Sequence, residues 1–247
     1  MMKDNRLGRI LSVLKGLGWR RWVLLGVNLL LLAAMGASLA GLEKMRSTPS
    51  TLSAARRFQG EGETRFAQLA VFMPEGKGKS EEDIQRFRQS LDATLVEQSL
   101  EAPENGSLTI DAYCGFASVT VSSENTTGSS VKAAGVGGDF FYFQPLTLLG
   151  GSYIRSDDLM DDLVVLDEET AWRLFGGTDL AGLTMYINDK PFVVAGVVAR
   201  ETDFATQKAY TGDGGVYMSY SALSRLVETA SISCYEIVMP NPIRNFA

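Results

Sequence analysis

The residues that could do chemistry are few, and the first fact about them is an absence: the 247-residue chain has no histidine. That excludes Ser-His-Asp and Cys-His catalysis, HExxH zinc sites and imidazole pH switching. The two cysteines, Cys114 and Cys234, are too few for a Cys-only structural zinc site. Gly76-Lys77-Gly78-Lys79-Ser80 stands between a predicted strand and a predicted helix, as a phosphate loop does. The first glycine of that motif would fall at Met73, so the segment reads as a solvated turn. Ser12 with Lys15, and Ser129 with Lys132, have SxxK spacing, but neither pair has companion groups to activate the serine, and no GxSxG elbow is present. Asp157, Asp158, Asp161 and Asp162 offer hard oxygens to calcium. Their spacing is not that of an EF-hand, and they read as helix caps or a solvated acidic face. No catalytic, cofactor-binding or metal-ligating residue is assigned.

Cys114 and Cys234 each fall in a predicted strand. They can form a disulfide, or they can be two small buried hydrophobes in neighbouring strands. The second reading is preferred, because most adjacent strand positions do not meet disulfide geometry.

The elements that must carry these residues begin with a charge asymmetry. Residues 1–22 hold six basic side chains against Asp4 alone, a net of +5, and residues 23–42 hold no charge. Residues 43–247 hold 17 basic and 28 acidic side chains, a net of -11, so the formal charge of -6 hides a strong polarity. The acidic bulk argues against nucleic acid as a partner. The neutral stretch 23–42 (VLLGVNLLLLAAMGASLAGL) is long enough, at about 1.5 Å per residue, to span a hydrocarbon core of about 30 Å. Trp19 and Trp22 flank it on the basic side. By the positive-inside rule, the N-terminus is cytoplasmic and residues 43–247 are extracytoplasmic. Ser38-Leu39-Ala40 resembles a signal-peptide cleavage site, but the apolar run exceeds a signal core, so a retained transmembrane helix is the preferred reading. Asn28, a lone amide in that helix, can make a helix–helix contact. Leu7, Ile10, Leu11, Leu14 and Leu17 give residues 1–22 the pattern of a basic amphipathic helix on the inner leaflet.

The remainder reads as α+β. Residues 43–65 form a linker. A strand is predicted over 66–73, then a helix from Ser80 to about 99, with Ser80 and Asp83 in capping-box positions and Ile84, Phe87, Leu91 and Leu95 on one face. One or two strands follow over 108–122. Residues 123–135 (SENTTGSSVKAAG) are polar and loop-like. Further on come a strand at 163–166, a helix at 168–175 closed by Gly176-Gly177, and a hairpin of 183–187 with 192–198 around Asn188-Asp189-Lys190. A strand at 216–220, a helix at 221–229 capped by Ser221 and a strand at 234–239 end the chain. Strand–helix–strand units thus flank a middle block. The predicted architecture is a split α/β sandwich of residues 66–122 and 213–247, with 123–212 inserted as a mostly-β subdomain.

Several words in this order resemble the ectodomains of MacB/FtsX-like ABC transporter permeases. Gly138-Asp139-Phe140-Phe141 with Gly150-Gly151 and Tyr153 is similar to one such run. Val164-Val165-Leu166-Asp167-Glu168, Ala171, Leu174-Phe175-Gly176 and Gly182 resemble a second, and residues 192–198 (FVVAGVV) a third. Val216-Tyr217-Met218 and Tyr235-Glu236-Ile237-Val238 with Pro242 resemble the segments leading back to the membrane. The resemblance implies a transmembrane helix followed by a porter-like α/β part and a Sabre-like inserted part. It implies a second permease copy, in a homo- or heterodimer, and a cytoplasmic ABC ATPase subunit that holds the ATP, this chain having no cofactor of its own. It also implies three further membrane helices after the ectodomain; the sequence stops at Ala247, where that return is expected.

The leading expectation is a non-enzymatic part of an ABC permease whose ectodomain couples cytoplasmic ATP hydrolysis to export or partner regulation. The alternative is a membrane-anchored extracytoplasmic binding or scaffold module without transport. A carboxylate-only anchored enzyme ranks last.

Overall fold

The computed structural model describes residues 19–47, 53–61, 64–74, 77–100, 107–200 and 214–241. The chain divides into two compact units, Met1–Pro49 and Ser50–Ala247.

The first unit contains helix α1, Trp19–Ser47. Its described leucines, Leu24, Leu29, Leu30, Leu31, Leu32 and Leu39, are all exposed. Among the described residues no helix is long and apolar enough to cross a membrane. Residues 1–18, where the amphipathic helix is expected, lie outside the described residues.

In the second unit the expected linker contains helix α2, Ala54–Gln59. Ala54 is fully buried and Phe58 meets Phe66 edge-on at 4.9 Å, so this segment packs as part of the domain. Strand β1, Phe66–Phe72, and helix α3, Glu81–Glu97, follow as the pattern predicts. The capping box is formed: Ser80 Oγ accepts from the Asp83 amide at 3.3 Å, and Asp83 accepts from the Ser80 amide at 3.1 Å.

Residues 123–135 are not a loop. Strand β2, Ile110–Ser123, turns at Glu124-Asn125 into strand β3, Thr126–Gly138, and the two pair from Ala112 opposite Gly138 to Ser123 opposite Thr126. The polar composition misleads because over 126–132 Val131 is the one buried residue, while both faces become buried only from Ala133 on. The expected subdomain boundary at 122/123 falls inside this hairpin. The one-turn helix α4 (Phe140–Phe143), β4 (Leu148–Gly151), β5 (Leu163–Asp167) and helix α5 (Glu168–Phe175) come next. Gly176 closes α5 in the left-handed region, φ 75°, where a Cβ would be strained. Strands β6 (Thr184–Ile187) and β7 (Lys190–Val198) form the expected hairpin. Asn188 and Asp189 both take positive φ, 48° and 64°, the geometry of a two-residue hairpin turn. Strand β8 (Gly214–Ser219), helix α6 (Tyr220–Leu226) and strand β9 (Ile232–Pro240) complete the chain. The cap of α6 is Ser219 rather than Ser221, its Oγ accepting from the Ala222 amide at 3.1 Å.

The strand order is β1-β9-β2-β3-β8-β5-β7-β4, with β6 joining β2 to β7. Following the pairings β2–β3, β3–β8, β8–β5, β5–β7, β7–β6 and β6–β2 returns to the start, so six strands close a ring. Its core is Val119, Val121, Val131, Val164, Leu166, Met185, Ile187, Val194 and Met218, capped by Ala171 and Leu174 of α5 and by Ala222 and Leu223 of α6. The rest of the sheet, β1, β9 and the first half of β2, is open. Helix α3 packs on one face of it around Ile84, Tyr113, Ile232, Tyr235 and Ile237. On the other face, Ala54, Phe140 and Phe143 pack against Ala112, Cys114, Cys234 and Val238.

Candidate functional site

Beneath α3, two charges on otherwise apolar faces find each other. Arg88 stands one turn after Ile84 on the buried stripe of α3, and Asp111 sits near the start of β2. A charge carried into a half-buried interface must be paired. Arg88 donates from Nε and Nη2 to the two Asp111 oxygens, each at 2.6 Å. This bidentate fork fixes both distance and angle. The Tyr235 hydroxyl donates to the same carboxylate at 2.8 Å. The Arg88 guanidinium lies 5.7 Å from the Tyr113 ring centroid, and the Tyr113 hydroxyl donates to Glu81. One clamp therefore ties the helix to β2 and β9.

The electrostatics follow the geometry. The hydrogen bond and charge of Asp111 raise the Arg88 pKa against the opposing cost of burial. Burial first, then the nearby carboxylates, hold both Tyr113 and Tyr235 far above the ordinary tyrosine range. These phenols are fixed hydrogen-bond donors, not bases. Asp139 is raised by burial and by the Asp111 charge. Gly138 makes room there: it has φ 63°, and a Cβ would come 2.3 Å from the Asp111 carbonyl.

On the opposite face Glu236 is 2% exposed. It accepts from Gln144 Nε2 at 3.1 Å and from Gln68 Nε2 at 3.2 Å, joining α4, β9 and β1. The sequence alone assigns no site role to Arg88, Asp111 or Glu236. The available signal was a charge inside an apolar periodic segment (LTIDAYC and CYEIVM).

The two cysteines come together: Cys114 and Cys234 are direct partners in the β2–β9 register, both buried, both free thiols. A hydrogen bond to Cys234, together with burial, raises the Cys114 thiol well above its ordinary range, so it is a poor nucleophile. The Asn28 amide donates to the Leu24 carbonyl at 2.9 Å, within its own helix.

Three of the four aspartates at 157–162 have their carboxylates engaged by arginine or backbone groups. Asp157 takes two bonds from Arg155, Asp158 accepts the Arg155 amide at 2.8 Å, and Asp161 accepts from Arg225 at 2.9 Å. Among the described residues, no three potential metal-ligating side chains converge. Ser129 and Lys132 lie three apart on β3, on opposite faces, and cannot act together. Lys79 and Ser80 belong to the cap and strap before α3. The arrangement can hold these elements in register.

The family model of the MacB-like periplasmic core domain matches residues 31–241. No curated protein matches the chain. Among solved structures, it is similar to the extracellular domain of the noncanonic ABC-type transporter YknZ from Gram-positive bacteria. That likeness has a TM-score of 0.46 and 14% identity, covering 73% of this chain and 85% of the other. It is also similar to the periplasmic region of MacB from Actinobacillus actinomycetemcomitans, with a TM-score of 0.47 and 20% identity, covering 78% of this chain and 82% of the other.

Proposed function

The chain belongs to the MacB-like periplasmic core domain family of ABC-transporter-type proteins, and from that premise we propose that it is the N-terminal part of a permease subunit of the mechanotransmission type. A cytoplasmic ABC ATPase subunit supplies the ATP chemistry. Residues 23–42 anchor the chain in the membrane, and the ectodomain carries the ATP-driven change to an extracytoplasmic event, export or regulation of a partner. A second permease copy completes the assembly. The chain itself acts without a cofactor and not as an enzyme.

The observation that carries this reading is the span of the family match. It begins inside α1 and continues to residue 241, so apolar helix and α/β unit are read as one family segment. The charge polarity supports the orientation, with +5 before the apolar stretch and -11 after it. The Arg88 clamp supports the mechanical role, since a bidentate pair at an α3–sheet interface is a directional joint with a defined rest position.

The test is a spin label at the fully exposed Leu159 (Leu159→Cys), Cys114 and Cys234 being buried. The chain is reconstituted in nanodiscs with its ATPase, and label-to-label distances between two copies are measured with and without ATP. A distance distribution that shifts on ATP binding and returns after hydrolysis is expected. A single distribution in every nucleotide state removes the coupling role and leaves the anchored binding module.

A further inference from the structure

The chain's only two cysteines share one rung of the sheet. Cys114 on β2 and Cys234 on β9 are direct antiparallel partners, although nearly half the sequence lies between them. Both are buried, at 1% and 3% exposure, and both belong to the apolar cluster on the face opposite α3. That cluster takes its other small side chains on these strands and on β3 as alanine or valine: Ala112, Ala134, Val136 and Val238. Filling space therefore does not require cysteine at either position, and it does not require the two to face each other.

The rung has the dimensions of a cross-link. Facing residues of an antiparallel pair hold their Cα atoms about 4.5 or 5.5 Å apart. Both separations lie inside the range of about 4.4–6.8 Å that a disulfide takes. The Cβ atoms of such a pair, about 4.5–5.5 Å apart, must close to about 3.5–4.5 Å. The ladder gives way at that point. The β2–β9 register shifts immediately after the pair, from Cys114 opposite Cys234 to Gly115 opposite Ile232. Ser233 is the extra residue of this bulge, and a bulge bends and twists its strand locally. The thiols already meet, with Cys114 hydrogen-bonded to Cys234.

We propose that Cys114 and Cys234 form a disulfide that staples β2 to β9 and stabilises the open half of the sheet when the domain folds outside the cytoplasm. The structure shows the reduced form of that pair. The proposal rests on the extracytoplasmic placement argued above, since oxidising compartments sustain disulfides. The oxidant is the disulfide of a thiol–disulfide oxidoreductase or of glutathione. One cysteine thiolate attacks it to give a mixed disulfide, and the second thiolate displaces the oxidant's sulfur. Cys114 and Cys234 together give up two electrons and two protons, and the oxidant's S–S bond becomes two thiols. The exchange belongs to folding, as the strands pair and before burial closes over the sulfurs. Afterwards the same burial keeps reductants out. Closing a loop of roughly 120 residues restricts the unfolded chain strongly. The staple lies on the face opposite the Arg88–Asp111 clamp, so it fixes the β2–β9 register and leaves the hold on α3 untouched.

The test counts thiols in the full chain. Cells carrying it in their membrane are quenched in acid, and the chain is denatured and treated with N-ethylmaleimide before and after reduction. Mass spectrometry should find no label before reduction and two after, on a chain that runs as a monomer in a non-reducing gel. Two labels before reduction, or a disulfide-linked dimer, overturn the proposal. The same count on chain refolded through a glutathione redox buffer then locates the fault. No label there traces the failure to the compartment, and so to the proposed orientation; two labels trace it to the strand geometry. The count is made on denatured chain, so it needs no variant to fold. Stability is the second readout. Reduction should lower the urea midpoint of the parent and leave that of the double variant Cys114→Ala, Cys234→Ala where it was. An oxidised parent whose midpoint does not move on reduction overturns the stapling role.

Discussion

The two halves of β2 live in different physical worlds. Its second half runs into the closed ring, where the core side chains Val119, Val121, Leu166, Met185, Ile187 and Met218 are all apolar and at most 2% exposed. Its first half lies in the open sheet, where position comes from the Arg88–Asp111 fork, the Tyr235 and Tyr113 hydroxyls and, on the opposite face, Glu236 with Gln68 and Gln144. A closed ring has no strand edges of its own to satisfy and resists deformation through packing. An open sheet held by directional polar contacts has a defined rest position and can be displaced by breaking a few bonds. Under the proposed coupling role the first half is the joint and the second the lever. The change of β2's partner from β9 to β6 marks where one gives way to the other.

The largest effect should come from the ring. Leu166→Ala removes a side chain with no exposed surface and leaves a cavity. Such changes cost about 3 kcal/mol, read as a shift in urea midpoint with little dependence on salt. The clamp should differ in size and in kind. A double-mutant cycle of Arg88→Ala and Asp111→Ala should give a coupling of about 1 kcal/mol, discounted because the Arg88 side chain is 37% exposed and screened by solvent. That coupling should shrink as ionic strength rises. A clamp coupling that is salt-independent and as large as the ring effect would erase the distinction between joint and lever.

The ring was partly legible in the sequence. Its strands carry apolar runs such as LVVL at 163–166 and FVVAGVV at 192–198, bounded by Asn188-Asp189 and Gly176, so strand identity and turns follow from local chemistry. Its closure was not. Strand β3 is hidden by serine, threonine and glycine on its outward face, and pairing over a hairpin is not a local property. The joint was hardly legible at all. Arg88 and Asp111 are 23 residues apart, and Asp111 and Tyr235 are 124 apart. The sequence shows each as an isolated charge or ring in an apolar segment, and only the fold supplies the partner. Cys114 and Cys234 were found as a pair because they are the only two of their kind; their place opposite one another depends on the β2–β9 register.

The smallest effect tests whether a charge at the rim of the ring behaves like those in the clamp. Asp167 caps α5, its carboxylate accepting from the Thr170 amide at 2.7 Å, and its side chain is nearly buried. Burial raises its pKa, and the Thr170 hydrogen bonds oppose this without cancelling it. A carboxyl whose folded pKa lies above its unfolded value destabilises the fold when ionised. Its penalty is fully present above the folded pKa, fades as pH falls through that value, and is gone below the unfolded value of about 3.9. Asn keeps the cap and removes the titration. Asp167→Asn should therefore be slightly more stable than the parent at neutral pH, with the difference vanishing on acidification through that window. Urea unfolding over a pH series measures it. A constant difference, or a parent that gains on the variant as pH rises, would show that this charge supports the ring as Asp111 supports the joint. The expected result leaves charge as a support in the open half of the sheet and a residual cost in the closed one.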